Sequence, residues 1–298
     1  MSTLNSKPAR DAPALPSNVD HDVVQDFGYE WRTFDQSALD SRELEEIFDT
    51  YFDIFPFDLI SKESVGFDMG CGSGRWAMKL APRVRTLHCI DASQMALDQA
   101  KKTLAHVNNC AFECASVADT SLADESQDFG YSLGVLHHIP DTYAGIQNCV
   151  RKLKVGSPFL IYLYYAMDNK PGWFRILWKL SDHLRFVLSK LPFGPKLFLS
   201  QLIAAGVYLP LARLSWVLEK LGVDVRHMPL CAYRDRSFYV MRTDSLDRFG
   251  TKLEQRFTRA QILSMLSKSG LEQVRFSEKM PYWVAVGLKA AHVNPAVA

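Results

Sequence analysis

The sequence predicts an α/β protein built on a mostly parallel sheet, and three observations carry that expectation. From Val65 onward, short apolar runs alternate with helical stretches. The first run leads into a glycine-rich turn, "DMGCGSG". Near the C-terminus a helical stretch is followed by two apolar runs with only "EKMPY" between them. Strands separated by helices are joined by crossovers and pair in parallel, whereas so short a link leaves room only for an antiparallel hairpin.

Strands are expected at Val65–Asp68, Thr86–Asp91, Ala111–Cys114, Phe129–Gly134 and Ser157–Tyr164. Helices are expected at Arg75–Leu80, stopped by Pro82, at Ser93–Val107 and at Thr142–Leu153. Thr258 and Gln261 have capping-box spacing, Gly270 closes the helix they open, and strands at Leu271–Ser277 and Trp283–Leu288 bring the sheet to seven. Ahead of the sheet, Asp40 with Glu43 resembles a second capping box. The helix it opens carries Leu44, Ile47, Phe48, Tyr51 and Phe55 at helical spacing.

These elements divide the chain into five parts. Residues 1–20 are expected to be a disordered tail without the apolar segment of a secretory signal, and 21–60 an N-terminal helical cap. Residues 61–165 form the core, and 258–290 a helix and β-hairpin that complete it. Between them, 166–257 is an insertion after the fifth strand, far longer than an ordinary α/β connection. Its first part is helical, apolar on a broad face and basic, with seven Lys or Arg against two acids from Trp173 to Gly222. Pro192, Pro195 and Pro210 are expected to break it short of membrane-spanning length. Its second part, "YRDRSFYVMRTDSLDRFGTKLEQRF", reads as a charged lid loop.

With 34 Lys and Arg against 33 Asp and Glu, the charge balance gives no reason to expect nucleic acid as a partner. The six cysteines lack zinc-type pairing and read as reduced core thiols in a cytoplasmic protein, with no metal site.

Gly70, Gly72 and Gly74 follow a strand and precede a helix, the place where an α/β sheet binds nucleotides. A dinucleotide fingerprint needs Gly or Ala where Arg75 stands, and usually ends its strand on an apolar residue rather than on Asp68. An acid beside the turn suits a ligand that brings positive charge and no pyrophosphate.

"DMGCGSG" resembles the D-x-G-x-G-x-G motif of class I S-adenosylmethionine-dependent methyltransferases, within them the broad methyltransferase-11-like group of small-molecule enzymes. The resemblance implies a Rossmann-like fold, with S-adenosyl-L-methionine as cofactor and S-adenosyl-L-homocysteine as product. It implies cofactor contacts from Asp68, Gly70, Cys71, Gly72 and Gly74 at the turn. Asp91 and Ala92 end the second strand, where the family's carboxylate holds the ribose hydroxyls; Asp91 lies 23 residues after Asp68, a spacing that suits a ribose-binding acid in general. Ser116 and Val117 fall at the adenine, and Gly134, in "DFGYSLGVLHHIPD", falls below the methionine moiety.

Methyl transfer is a displacement on an activated electrophile, so alignment and exclusion of water supply most of the catalysis. A base is needed only for an acceptor that holds its proton tightly, and His137, His138 and Tyr164 are the candidates. Trp31, Tyr165, Arg236, Arg242 and Arg248 are candidates for contacts to the acceptor, in a lid that also includes Phe27, Arg32, Arg234, Asp244 and Asp247. As a cluster, the lid charges suit an acidic or hydroxylated small molecule. The expected function is methyl transfer to O, N or S of a small metabolite in a lid-covered site. One alternative is a lipid-like acceptor at a membrane surface; another is a non-catalytic cofactor-binding module. The apolar face of the insertion is expected to cover the site and form a homodimer interface, or to touch a membrane peripherally.

Overall fold

The computed structural model describes residues 18–291, so the tail expected at 1–20 lies outside the described residues as far as 17. The strands are β1 (Val65–Met69), β2 (Thr86–Asp91), β3 (Cys110–Cys114), β4 (Phe129–Leu133), β5 (Pro158–Tyr162), β6 (Leu271–Phe276) and β7 (Val284–Lys289). They form one seven-stranded sheet in the order β3-β2-β1-β4-β5-β7-β6. Neighbours pair in parallel except at β7, which is antiparallel to both β5 and β6. The chain runs outward from β1 on one side and returns to β4 on the other, so a crevice opens at the carboxyl ends of these two strands.

The interior strands are buried on both faces, and two glycines let them come together. A Cβ at Gly66 would lie 2.3 Å from the Phe129 ring, and one at Gly130 would lie 2.2 Å from the Phe67 ring. Gly66 pairs with Phe129 and Phe67 with Gly130, so each ring covers its partner glycine and the two rings fall on opposite faces. On the Phe129 face, α2 (Ser41–Phe52), α3 (Arg75–Leu80) and α4 (Gln94–Thr103) supply Phe48, Phe52, Leu80 and Leu97 to the core. On the Phe67 face, α5 (Thr142–Lys152) and α10 (Arg259–Lys268) supply Ile146, Val150, Ile262 and Leu266.

The helix ends depart from the sequence reading in instructive ways. Thr258 and Gln261 form the reciprocal capping box. Asp40 does accept from the Arg42 and Glu43 N–H groups, but the Glu43 carboxylate accepts from Ser237 N at 2.7 Å and ties α2 to the lid instead. Within the expected N-terminal cap, a helix not delimited there, α1 (His21–Thr33), begins at Asp20, whose carboxylate accepts from the Asp22 and Val23 N–H groups. The charged lid segment is also helical, as α9 (Phe238–Gly250), capped by the Ser237 hydroxyl.

The insertion corrects the expectation about its prolines. After α6 (Gly172–Leu188), residues Phe193–Lys220 run as one helix: α7 (Phe193–Ile203), a π-helical turn at Ala204–Tyr208 and α8 (Leu209–Lys220). Pro195 sits in the first turn, where no backbone N–H is required, and the widened turn precedes Pro210 and relieves its clash. By length and composition this helix is able to cross a membrane. A separate small core of Leu188, Tyr208, Ala212, Met241 and Phe249 holds α6, the long helix and α9 together. Lys196 binds Asp26 of α1 at 2.7 Å, and the Ser245 hydroxyl donates to the Ser200 carbonyl at 2.8 Å.

The six cysteines are free thiols, four of them buried; Cys110 is half-buried, and Cys114, at the end of the edge strand β3, is exposed.

Candidate active site

Met69 ends β1, and Gly70, Gly72 and Gly74 take φ of +82°, +53° and +79°, a region that side chains disfavour. The turn is fastened to β2, because the Gly70 and Cys71 N–H groups donate to the Ile90 carbonyl at 2.7 and 3.0 Å. Gly72 N–H then donates to Asp91 Oδ2 at 2.9 Å, while Ser93 N–H donates to Oδ1 at 2.8 Å. Burial pushes the Asp91 carboxyl up, against these two backbone donors. Each oxygen retains a lone pair toward the cavity that Asp91 lines.

That cavity, of about 900 Å³, runs from the glycine turn to the underside of the insertion. Gly70, Cys71, Gly72, Asp91, Ala92, Ser116, Val117 and Gly134 all line it. At Gly134 an added Cβ would meet nothing nearer than the Tyr162 ring at 4.0 Å, so β4 ends with bare backbone against the space. Trp31 of α1 lies over the turn, 2.9 Å from where a Gly72 Cβ would stand.

Residues 67–161, from β1 to β5, match the methyltransferase-11 family, described as a methyltransferase domain. This core is a class I S-adenosylmethionine-dependent methyltransferase domain.

Among solved structures, a methyltransferase of Thermotoga maritima is 14% identical over 90% of this chain and 99% of its own, with a TM-score of 0.49. The Haloferax volcanii chain solved with the Trm112 methyltransferase activator is 13% identical over 91% of this chain and 98% of its own, with a TM-score of 0.48. The N-methyltransferase NodS of Bradyrhizobium japonicum, in complex with S-adenosyl-L-homocysteine, is 21% identical over 47% of this chain and 72% of its own, with a TM-score of 0.40. All three are distant likenesses. No curated protein matches the chain in sequence.

S-adenosylmethionine is the cofactor of the methyltransferase domain, and the site fits it. Three of the five turn residues carry no side chain, and Asp91 is a carboxylate preset by two backbone bonds with capacity left for a diol. Ser116 and Val117 face the same space. Two residues expected at the cofactor stand elsewhere. Strand alternation turns Met69 to the cavity and Asp68 to the opposite layer, where Tyr131 donates to its Oδ2 at 3.0 Å. There burial pushes the Asp68 carboxyl up to about 8. Gly74 does not line the cavity; it lets α3 pack on α4, its Cβ position lying 3.0 Å from Leu104 and 3.3 Å from Ala100.

The base candidates separate in the same way. His137 is fully buried, does not line the cavity and stacks on Tyr164 with ring centroids 3.8 Å apart. Burial depresses its pKa far below the ordinary value, so it is a neutral packing residue. His138 and Tyr164 do line the cavity, on either side of Asp247 from α9. The Tyr164 hydroxyl donates to Asp247 Oδ2, and His138 Nε2 lies 3.8 Å from Asp247 Oδ1. His138 Nδ1 faces the Leu253 carbonyl at 2.7 Å and therefore carries hydrogen.

The acceptor candidates sort by whether their charges are already satisfied. Trp31, Tyr165, Arg236 and Arg248 line the cavity. Arg242 does not; it bonds Gln201 and lies over the Phe34 ring at 5.5 Å. Arg248 pairs with Glu254 at 3.0 Å and Asp182 at 3.3 Å, and Arg236 with Glu46 at 3.4 Å. Glu254 also binds Arg256, a buried cation that the sequence reading did not single out.

The reading also passed over Glu30 of α1, which faces the same space as Asp244 and Asp247. Burial raises all three carboxyls, with Asp244 pushed up to about 6; repulsion from Asp247 adds to it at Glu30 and Asp244, and repulsion from Glu254 adds to it at Asp247. None has a Lys or Arg within 4 Å among the described residues. Arg75 stands between the Trp31 and Trp76 rings, 5.6 and 4.3 Å from their centroids, and is the nearest counterweight.

Proposed function

We propose that the chain transfers the methyl group of S-adenosylmethionine to a nitrogen or oxygen of a small organic acceptor that lies under α9 and arrives as a hydrogen-bond donor. The observation that carries this reading is the cavity beyond the glycine turn, where Arg236 and Arg248 are paired with acids while Glu30, Asp244 and Asp247 have no Lys or Arg partner within 4 Å among the described residues and Arg75 nearby to offset them. Its volume lies within the range of about 300–1,000 Å³ usual for small-molecule sites.

The bound cofactor supplies a methyl group already activated by its sulfonium. The chain's own residues align, enclose and deprotonate. Trp31 and Tyr162 wall the space between turn and acceptor, and α1 and α9 exclude water. As the acceptor atom gains the methyl it must lose a proton, and Asp247 takes it. Its raised pKa makes it a better base at neutral pH than an exposed carboxylate. Tyr164 fixes one Asp247 oxygen, and His138 Nε2 stands 3.8 Å from the other.

Release of S-adenosyl-L-homocysteine should be assayed across amines, phenols, thiols, sugars and carboxylic acids. Turnover is expected with an amine or hydroxyl acceptor, and Asp247→Asn should lower kcat by about 10²–10⁴-fold. Turnover confined to carboxylic acids opposes the reading, and a folded chain that binds cofactor without turnover on any class is a binding module. A second reading, a lipid-tailed acceptor, is favoured by Leu177 and Val207, which line the cavity and are each nearly half exposed. The free thiols, one of them on the surface, support a reducing compartment such as the cytoplasm.

A further inference from the structure

The insertion turns a broad apolar surface outward. Ile176, Leu180 and Val187 of α6 are each about 60% exposed, as is Phe198 of the long helix, while Leu202 and Leu214 are about half exposed. The two helices lie side by side, since Leu184 and Leu188 share a groove with Leu199 and Leu202. Their apolar faces therefore join into one patch of a kind that soluble monomers rarely expose.

The charges around this patch are of one sign. Arg175, Lys179, Lys190 and Lys220 are exposed, and none has an acidic partner among the described residues. The two acids of the region are neutralised, Asp182 by Arg185 and Arg248 and Glu219 by Arg234. Lys190 lies 3.5 Å over the Phe186 ring, and Lys220 lies 5.7 Å from the Trp216 ring. Pairs of lysine and aromatic ring suit the level of lipid headgroups. A second copy of the same face would bring more cations and no acids to meet them.

The long helix is tied to the body along its length. Lys196 binds Asp26, Gln201 bonds Arg242, and the Arg213 guanidinium donates to the Arg234 and Arg236 carbonyls at 2.6 and 3.1 Å. Crossing a bilayer would sever these bonds and take Arg213 into hydrocarbon, which leaves the helix able to meet a bilayer only along its surface.

We propose that the joined faces of α6 and Phe193–Lys220 form a docking surface for an anionic lipid bilayer, with Leu177 and Val207 at a cavity mouth that opens toward it. This goes beyond the methyl-transfer reading and uses no cofactor contact.

The test is sedimentation of the full chain with vesicles of phosphatidylcholine containing about a quarter phosphatidylglycerol, alongside gel filtration without lipid. The chain is expected to pellet with these vesicles and about tenfold less with phosphatidylcholine alone or in high salt. Leu180→Glu with Phe198→Glu, and separately Lys179→Glu with Lys220→Glu, should each weaken binding about tenfold or more. None of these four residues lines the cavity. Thermal melting of each variant shows that it is folded, independently of cofactor binding. The proposal is overturned if the folded wild-type chain stays in the supernatant. It is also overturned if the chain is a dimer that Leu180→Glu with Phe198→Glu dissociates while vesicle binding is unchanged.

Discussion

The Gly72 N–H donates to Asp91 Oδ2 at 2.9 Å and joins the turn after β1 to the end of β2. With Ser93 N–H on the other oxygen, the carboxylate is oriented before any ligand arrives. Asp91→Ala is expected to weaken S-adenosylmethionine binding by about 1.5–3 kcal/mol, the scale of lost charge-assisted hydrogen bonds. Asp91→Asn, which keeps one accepting oxygen, should lose less. Calorimetric titration orders the three proteins, and equal affinities would reduce Asp91 to a cap for α4.

Asp244 makes the cavity sensitive to pH. Its folded pKa, pushed up to about 6 by burial, lies above its ordinary value of 3.8. Its contribution to stability is therefore present below 3.8 and is lost as pH rises through about 6. The same ionisation gives the cavity more negative charge. Affinity for a cationic amine is expected to rise between about pH 5 and pH 7, and Asp244→Asn should flatten that rise. An unchanged pH profile in the variant would show that Asp244 does not face the acceptor.

At Asp68 the same linkage acts on the fold. Its pKa rises from an ordinary value of 3.8 to about 8, so the stability it contributes as a neutral acid is lost as pH rises through about 8. Asp68→Asn keeps an acceptor for the Tyr131 hydroxyl and cannot ionise. The variant should match wild type near pH 5 and gain about 2–4 kcal/mol near pH 9. Denaturant melts at the two pH values give the difference, and no gain at high pH would place Asp68 in a wetter setting.

The interlocked glycines predict a sharp contrast. Gly130→Ala puts a methyl group into the Phe67 ring and should cost about 1–3 kcal/mol. Gly194→Ala in α7 meets nothing within 4 Å and should be neutral or stabilising by up to about 1 kcal/mol. Thermal melts that rank the two the other way would contradict the packing of β1 against β4.

The sheet is legible in the sequence because strands buried on both faces read as plain apolar runs, and the turn because glycine is the residue best suited to three closely spaced positive-φ positions. The helix α1 is harder to see. Val23, Phe27 and Trp31 keep helical spacing, but Gly28 interrupts them for a tertiary reason: its Cβ would stand 2.5 Å from Ser93 Oγ at the N-cap of α4. Glu30 reaches the cavity only because α1 docks there. Arg242 and Arg248 look alike in the sequence, and which of them faces the cavity depends on how α9 is rotated against α7. The direction of Asp68 is different, since strand parity with Met69 already opposes the two side chains. The continuity of Phe193–Lys220 is hidden because a π-helical turn ahead of Pro210 leaves no local signature.

The central claim is that the turn at Gly70–Gly72 and Asp91 hold S-adenosylmethionine, and calorimetric titration of the full chain with that cofactor and with NAD tests it most directly. The expected result is S-adenosylmethionine or S-adenosyl-L-homocysteine binding in the micromolar range, about −7 to −8 kcal/mol, with no heat from NAD. Binding of NAD without binding of S-adenosylmethionine would contradict the account.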